Sequence, residues 1–151
     1  MFLNPYSEEN LTNILSKLTE QSKPEWGTMD AQQMIEHLTL VIEVSMNKHS
    51  ATQHTPEDKI ERAQQFLFSD LPMPRYYKAP FVPETGFSHQ YSSLDEAKEM
   101  LKAQLLESVD FFNRNPDIKT LHPVFGMLTA EGWLRVQEKH FTHHFTQFNL
   151  V

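Results

Sequence analysis

Apolar residues recur at three- and four-residue spacing in four separate stretches of the chain, and this period predicts amphipathic helices. The predicted helices cover about residues 7–20, 30–48, 94–114 and 130–148. The inner faces of the first three carry Leu11, Ile14, Leu15 and Leu18; Met34, His37, Leu38, Val41, Val44 and Ser45; and Leu94, Ala97, Leu101, Leu105, Ser108 and Phe112. Only four glycines occur in the chain, which also favours helices over strained turns. We therefore expect an all-α fold.

Polar residues that can cap a helix N-terminus stand before each of these stretches. The candidates are Ser7, Thr28 or Asp30, Ser93 and Thr129. Each has a side-chain oxygen that can accept a hydrogen bond from a free backbone N–H of the first helical turn. Ser93 is followed three residues later by Glu96, which is the spacing of a capping box.

The connection between the second and third predicted helices, residues 49–92, is rich in proline. It holds five of the nine prolines of the chain, at positions 56, 72, 74, 80 and 83. Pro56 begins a predicted short helix, whereas residues 71–80 cannot form a regular helix. A connection this long suits a crossover between two parallel helices, and such loops often form one wall of a pocket. For residues 75–77 within it, we favour a packed surface loop over contact with a substrate.

Composition excludes several classes of function. At 151 residues the chain is long enough for one domain with its own core, and we expect a single domain over residues 1–151. The net charge of −7 argues against nucleic acids and anionic membranes as partners. No apolar stretch approaches the roughly 20 residues of a membrane-spanning helix. Because cysteine is absent, disulfides, cysteine nucleophiles and thiolate metal ligands are excluded.

Residues 1–6 contain neither a basic segment nor an apolar segment of the kind found in a signal peptide. We therefore expect no secretion signal and a cytoplasmic location, with which the lack of cysteine is compatible.

Histidines provide the candidate chemistry. His140 and His144 are four residues apart, so on a helix their side chains lie on one face with about 5–6 Å between the Cβ atoms. His37 lies at a core position of the second helix. Neutral imidazole is a common ligand for zinc and also suits nickel, iron and copper. Since a catalytic metal site commonly uses three protein ligands, we predict a metal site on His37, His140 and His144.

Two alternatives stay open for these residues. His143 is three residues from His140 and could replace His144 as its partner. The histidines could also be merely packed or exposed, because a single His-x-x-x-His pair is a weak signal. The His-Glu-x-x-His motif of zinc proteases is excluded, since the residue after the first histidine would be the general base and is Phe141, and a peptidase is therefore not favoured.

Three segments carry a resemblance to a known family. The last helix reads His-Phe-Thr-His-His-Phe-Thr-Gln over residues 140–147, the second helix has His37 before Leu38, and a His-Pro-x-Phe-Gly segment at 122–126 precedes Trp133. From about residue 26 to residue 147, the chain resembles the DinB/YfiT-like superfamily of metal-binding four-helix bundles. The resemblance is to a branch that has the His-Pro-x-Phe-Gly segment. The chain departs from the family at residues 145–146, where an Arg-Gly pair is common and Phe-Thr stands here.

The resemblance implies an up-down-down-up four-helix bundle, with the long proline-rich crossover between helices 2 and 3. It implies a divalent metal ion, commonly zinc or nickel, on His37, His140 and His144, with open positions for water. It also implies a homodimer, and a role for Gln147 in orienting a ligand or water. Glu36 and Glu43 are expected to be solvated helix charges instead.

Characterised relatives in that superfamily include S-transferases and isomerases that use low-molecular-weight thiols. The resemblance therefore favours a metal-dependent thiol S-transferase, and the chain's lack of cysteine requires the thiol to come from a co-substrate such as bacillithiol or glutathione. A metal-dependent hydrolase, in which the ion activates water, is the alternative enzyme. The third possibility is a metal- or ligand-binding bundle without catalytic activity, related to stress responses.

Overall fold

The computed structural model describes residues 1–77 and 87–151, and this part of the chain is mostly helical. The described helices are α1 (Glu8–Ser16), α2 (Ala31–Ser45), α3 (Ile60–Phe68), α4 (Leu94–Arg114) and α5 (Ala130–Gln147). A 3-10 turn, Glu57–Lys59, leads into α3. A two-stranded antiparallel sheet of β1 (Thr120–His122) and β2 (Gly126–Leu128) lies between α4 and α5 in the chain. The prediction of a helical protein is correct in outline, and the small sheet is an addition to it.

Apolar side chains of α1, α2, α4 and α5 share one core. Its members include Leu11 and Leu15 of α1, Leu38 and Ile42 of α2, Leu101 and Leu105 of α4, and Phe141 and Phe145 of α5. A second cluster joins α2, α3, the hairpin and α5 through Val41, Val44, Leu67, Phe125, Leu128, Trp133 and Val136. Helix α2 contributes to both clusters and packs against both α4 and α5. This packing places one face of α5 against α2.

The N-termini of α2 and α5 are capped as the sequence predicted. For α2 the structure selects Asp30 over Thr28: its carboxylate accepts a hydrogen bond from the backbone N–H of Gln33 at 2.7 Å. The Gln33 side chain accepts in return from the backbone N–H of Asp30 at 2.9 Å, which completes a capping box. For α5, the Thr129 hydroxyl oxygen accepts from the backbone N–H of Gly132 at 3.3 Å.

The caps of α4 and α1 differ from the predictions. Ser93 accepts from the backbone N–H of Glu96 at 3.1 Å, but the Glu96 carboxylate accepts from the backbone of Ser92 and not from that of Ser93. Ser7 precedes α1 without a capping hydrogen bond from its side chain. Helix α1 also ends at Ser16 rather than near residue 20, because the next two N–H groups bond three residues back and tighten the turn.

Helices α2 and α5 end in the same way, at an asparagine with left-handed backbone. The φ angle is 59° at Asn47 and 55° at Asn149. The following residue, Lys48 or Leu150, donates its N–H to the carbonyl five residues back, at 3.1 Å and 2.8 Å. This is a Schellman motif, and it stops α2 at Ser45, before the predicted end at about residue 48.

The hairpin of β1 and β2 lies between the third and fourth predicted helices, where no regular element was predicted. Thr120 pairs with Leu128 and His122 with Gly126, whose φ of +74° suits a glycine at the tight turn. Each strand has only three residues, too few to show the alternation by which a strand is recognised in a sequence. The Thr120 hydroxyl donates to the Ser45 carbonyl at 2.7 Å and ties β1 to the end of α2.

Between α2 and α4, the chain contains the 3-10 turn and α3, and Pro56 directly precedes the turn, as predicted. Part of the predicted proline-rich crossover, residues 78–86 with Pro80 and Pro83, lies outside the described residues. Among the described helices, none combines the length and the apolar character needed to cross a membrane.

Candidate metal centre

Three histidines from two helices meet in the interior. His37 of α2 lies 2.8 Å from His140 of α5, measured between their Nε2 atoms. The Nε2 atoms of His140 and His144 are 3.1 Å apart. All three side chains are buried, and one ligand nitrogen from each lies within 4.8 Å of the others. The structure thus brings together the residues that the sequence named as metal ligands.

The packing of α5 on α2 explains this convergence. His140 and His144 stand one turn apart on the face of α5 that turns toward α2, while Phe141 and Phe145 lie in the core formed with α1 and α4. Two large aromatic anchors on the neighbouring positions fix the rotation of α5 about its axis. The two histidine rings therefore point toward His37 rather than toward solvent.

Gln147 determines the tautomer of His144. The Gln147 amide nitrogen is 2.7 Å from the carbonyl oxygen of Trp26 and must donate to it. Its amide oxygen is then the atom 2.7 Å from Nδ1 of His144, and it can only accept. Nδ1 of His144 therefore carries the hydrogen, which leaves a lone pair on Nε2. Gln147 thus plays the orienting role expected from the resemblance.

The missing side chain of Gly27 leaves room for the Gln147 side chain. The φ angle of Gly27 is +84°, and a Cβ atom there would lie 2.8 Å from the Gln147 amide nitrogen. The backbone carbonyl of Gln147 in turn accepts from the N–H of Glu25 at 2.7 Å. The loop before α2 and the end of α5 are therefore joined by two hydrogen bonds of Gln147, to the Trp26 carbonyl and from the Glu25 N–H, next to His144.

Burial keeps the three histidines neutral. It lowers the pKa of His37 to about 4, with a smaller contribution from His143. Burial also lowers the pKa of His140 and of His144 well below the usual value, and the neighbouring histidines act in the same direction. Only the neutral imidazole has a lone pair to give to a metal ion, so the site has the protonation state that a ligand set requires.

The donor set and its spacing fit a transition-metal ion. Around a four-coordinate zinc with bonds of about 2.0–2.1 Å, ligand nitrogens lie roughly 3.3 Å apart. The observed separations of 2.8 Å and 3.1 Å are close to that value. Three neutral Nε2 atoms facing one another cannot all be satisfied by hydrogen bonds among themselves, whereas one ion accepts a lone pair from each. Nδ1 of His37 and of His140 has no hydrogen-bond partner among the described residues.

His143 lies beside this cluster and is not part of it. Its ring packs against Trp26, with 5.6 Å between the ring centroids, and hydrogen-bonds with the backbone of Met73. Burial lowers its pKa as well. In this geometry His144, and not His143, is the partner of His140.

A cavity of about 760 Å³ lies over the three histidines. Most of its wall is apolar and comes from α2, α3, the hairpin and α5, with Val41, Ala63, Phe66, Leu67, Phe125 and Val136 among the lining residues. Residues 73–77 line another part, so the proline-rich connection does form a wall, as predicted. Arg75, Tyr76 and Tyr77 are exposed loop residues that also border the cavity, and the Arg75 guanidinium stacks 4.5 Å from the centroid of Trp26.

His122 also lines the cavity, although it was not among the predicted metal ligands. It ends β1 and is buried. Its Nδ1 accepts hydrogen bonds from the backbone N–H groups of Val124 at 3.0 Å and Phe125 at 3.3 Å, so its own hydrogen is on Nε2. Burial lowers its pKa to about 3. The signal that could have found it is the His-Pro-x-Phe-Gly segment, which is the turn of the hairpin.

The prediction that Glu36 is a solvated charge was wrong. Glu36 is 5% exposed, and one of its oxygens accepts from the backbone N–H groups of Gln90 and Tyr91, both at 2.8 Å, and from Gln32 at 3.2 Å. It holds the segment before α4 against α2 and does not line the cavity. Glu43 is half-buried and pairs with His49.

Lys139 is a buried cation of the cavity wall, with only 2% of the residue exposed. Its ammonium group donates to the carbonyl oxygens of Phe66 at 2.7 Å and Leu71 at 2.8 Å and lies 4.2 Å from the centroid of the Phe66 ring. Burial, with a smaller contribution from Arg135, lowers its pKa to about 8.

Comparison of the chain with family models, with curated proteins and with solved structures finds no match. The resemblance to the DinB/YfiT-like superfamily therefore stays an expectation based on short motifs, and the geometry of the site is the basis for a function.

Proposed function

We propose that the protein is a metal-dependent enzyme of the thiol S-transferase type, with a zinc or nickel ion on His37, His140 and His144. One observation carries the proposal: three neutral Nε2 atoms converge at the wall of a large, mostly apolar cavity. A purely structural histidine cluster needs no such cavity beside it. A concave apolar site with a few convergent polar groups is the usual form of a small-molecule site.

The ion, when bound, lowers the pKa of a coordinated thiol so that a thiolate exists at neutral pH. The chain's own residues would position the reactants. His144 is held by Gln147 with its Nε2 directed to the site, and the apolar wall around Phe66 and Phe125 can hold an apolar electrophile out of water. Since the chain has no cysteine, the thiol is a co-substrate of low molecular weight.

The lining favours a thiol over water as the nucleophile. Water needs strong activation, and a carboxylate commonly serves as its general base in zinc hydrolases. No Asp or Glu lines the cavity among residues 1–77 and 87–151. A thiol loses its proton at a pH of about 8.5 without assistance and needs no such base once its pKa is lowered.

For the fold, we propose an up-down-down-up four-helix bundle of the DinB/YfiT-like type, built from α1, α2, α4 and α5. The support is the core that these four helices share and the placement of the histidines on α2 and α5. The homodimer implied by the same resemblance is part of this proposal.

The test is an assay of untagged protein loaded with zinc or nickel. One arm offers glutathione or bacillithiol with 1-chloro-2,4-dinitrobenzene, and the other offers 4-nitrophenyl esters without thiol. We expect turnover that depends on the thiol and is abolished in His144→Ala but retained in His122→Asn. Thiol-independent ester hydrolysis that is lost in His144→Ala would instead identify a hydrolase. No turnover in either arm, with metal bound, would favour a binding protein without catalytic activity.

A further inference from the structure

The charge of the cavity wall is opposite to that of the protein. The chain has 13 Lys and Arg against 20 Asp and Glu. Four of the basic residues line the cavity, namely Lys59, Arg62, Arg75 and Lys139, and among the described residues no acidic one does. The basic residues come from the 3-10 turn, α3, the loop before residue 78 and α5. Charges of one sign gathered from four segments of the chain create a local positive potential in a cleft.

These cations are not neutralised by partners in the described part of the chain. No ion pair joins Lys59, Arg62 or Arg75 to a described carboxylate, whereas four other basic residues form such pairs, as Lys48 does with Glu107 at 2.7 Å. Lys59 and Arg62 are exposed and three residues apart where the 3-10 turn meets α3, so they can reach the same bound group.

Lys139 brings a positive charge to the interior of the same wall. Its two hydrogen-bond acceptors are neutral carbonyl groups, and no described carboxylate forms an ion pair with it, although the charge of Asp70 acts on it without direct contact. An ammonium group has three N–H donors, and these two carbonyls use two of them. Burying a charge without a counterion is costly, and a bound anion would remove that cost.

The rest of the wall sets a second requirement on the ligand. Val41, Phe66, Leu67, Phe125 and Val136 give the cavity an apolar interior, and its volume of about 760 Å³ is in the range of sites for organic molecules. Inorganic anions would satisfy the cations and leave this surface unfilled. A ligand that satisfies both parts has an anionic group and an apolar body.

We propose that the cavity binds an organic anion with an apolar body, its charged group held by Lys59, Arg62, Arg75 and Lys139. For the proposed enzyme, such an anion would be the class of substrate. Only this role as a substrate rests on the proposed function. The binding itself depends on the basic side chains and not on the histidines. It can therefore be measured in the absence of metal.

The experiment compares 2-naphthoate with 2-acetonaphthone, a neutral ketone of nearly the same shape. Both are titrated by calorimetry into metal-free, untagged protein at pH 7.5 and low salt. We expect the anion to bind roughly ten-fold more tightly than the ketone, and added salt to reduce the difference. A third titration with 2-naphthyl phosphate decides between the two kinds of anionic group: tighter binding than naphthoate indicates a phosphate ligand, and weaker binding a carboxylate.

Two double variants locate the effect. Lys59→Gln/Arg62→Gln removes two exposed charges of the cavity, whereas Arg114→Gln/Lys119→Gln removes two exposed charges elsewhere. Both change the net charge by the same amount. We expect the first to weaken naphthoate binding about five-fold or more and the second to leave it within about two-fold. Binding of the ketone should be the same in all three proteins.

Equal affinity for the anion and the ketone, no binding of either, or equal losses in the two double variants would overturn the proposal. Metal binding is tested independently of these titrations, because metal content is measured on another sample. Anion-selective binding in a protein that takes up no metal would leave this proposal standing and reject the proposed enzyme. Metal uptake without anion selectivity would overturn the anion-binding proposal and leave the proposed metal site standing.

Discussion

His144 and His122 are buried imidazoles that line the same cavity with opposite tautomers. Nδ1 of His144 donates to the Gln147 amide oxygen, so the lone pair of His144 is on Nε2. Nδ1 of His122 accepts from the backbone N–H groups of Val124 and Phe125, so its hydrogen is on Nε2. Burial lowers the pKa of both rings, His122 to about 3 and His144 well below the usual value.

The difference shows that burial and a low pKa do not make a histidine a ligand. A histidine ligates through a lone pair that its surroundings leave available, and the hydrogen bond at the other ring nitrogen decides which one that is. Gln147 leaves the lone pair of His144 available to a metal ion. The Nδ1 lone pair of His122 instead accepts hydrogen bonds from two backbone N–H groups of the hairpin turn.

Substitution of each histidine is expected to give the largest difference in zinc affinity between His144 and His122. His144→Ala deletes one of three ligands, so we expect zinc affinity to fall by more than about 100-fold, beyond the 10- to 100-fold typical of a lost orienting partner. His122→Asn keeps a side-chain oxygen for the backbone N–H groups of the turn and should leave zinc affinity within a few-fold. Competition with a chromophoric chelator measures both. Similar losses in the two variants would show that His122 belongs to the metal site.

Acidification is expected to destabilise the metal-free protein. The pKa of His37 is about 4 when folded and about 6.5 when unfolded, so the unfolded state binds protons first as the pH falls. The stability is complete above about pH 6.5 and is lost toward pH 4. At pH 5.5 His37 alone should cost about 1 kcal/mol, and the other buried histidines act in the same direction.

Urea denaturation at pH 7.5 and 5.5 measures this effect. His122→Asn should show a smaller loss than the unmodified protein, because His122 also has a lowered pKa, while its zinc affinity is retained. A free energy of unfolding that is the same at both pH values would contradict the neutral state assigned to these rings.

Gln147→Leu is expected to cost zinc affinity while the three histidines remain. Without the amide oxygen, Nδ1 of His144 loses its acceptor, and we expect a loss of 10- to 100-fold, about 1.4–2.7 kcal/mol. Gln147→Glu keeps an acceptor for Nδ1 and should retain more affinity than the leucine variant, although it loses the donor to the Trp26 carbonyl. Equal zinc affinity in the leucine variant and the unmodified protein would show that Gln147 does not orient His144 for metal binding.

The smallest effect concerns two glycines with positive φ. Gly27→Ala and Gly126→Ala each place a Cβ on left-handed backbone, at φ of +84° and +74°, and should each cost about 1–2 kcal/mol of stability. At Gly27 the new Cβ meets the Gln147 amide at 2.8 Å, whereas at Gly126 it meets Ile60 at 3.2 Å. Only Gly27→Ala should also reduce zinc affinity, by a few-fold. Thermal unfolding and chelator competition measure the two effects, and an equal loss of affinity in both variants would contradict the path through Gln147.

Helical spacing predicted the part of the site that depends on local sequence. His140 and His144 share a face because they are four residues apart, and His37 points inward because its neighbours at helical spacing are apolar. Each of these two inferences requires only the sequence of a single helix. That α2 and α5 pack so that the three rings meet does not follow from either helix alone. It was predicted because a metal site commonly needs a third ligand and His37 lies on an inner face, and the structure supplies the distances.

What the sequence could not predict depends on contacts between distant residues. Glu36 looked like a solvated charge because the backbone N–H groups that donate to it, those of Gln90 and Tyr91, lie more than 50 residues away in the sequence. His122 was missed because its position depends on a hairpin whose strands are too short to show a period. The end of α2 was placed too late because Asn47 can continue a helix or stop it, and only its left-handed φ of 59° decides.

We propose that His37, His140 and His144 together bind one metal ion through Nε2. The most direct test is elemental analysis together with X-ray absorption on untagged protein, before and after reloading with zinc. We predict about one ion per chain with three imidazole nitrogens at about 2.0–2.1 Å, and loss of the ion in His144→Ala but not in His122→Asn. Less than about half an equivalent of any transition metal after reloading would contradict it, because preorganised, neutral ligands bind tightly.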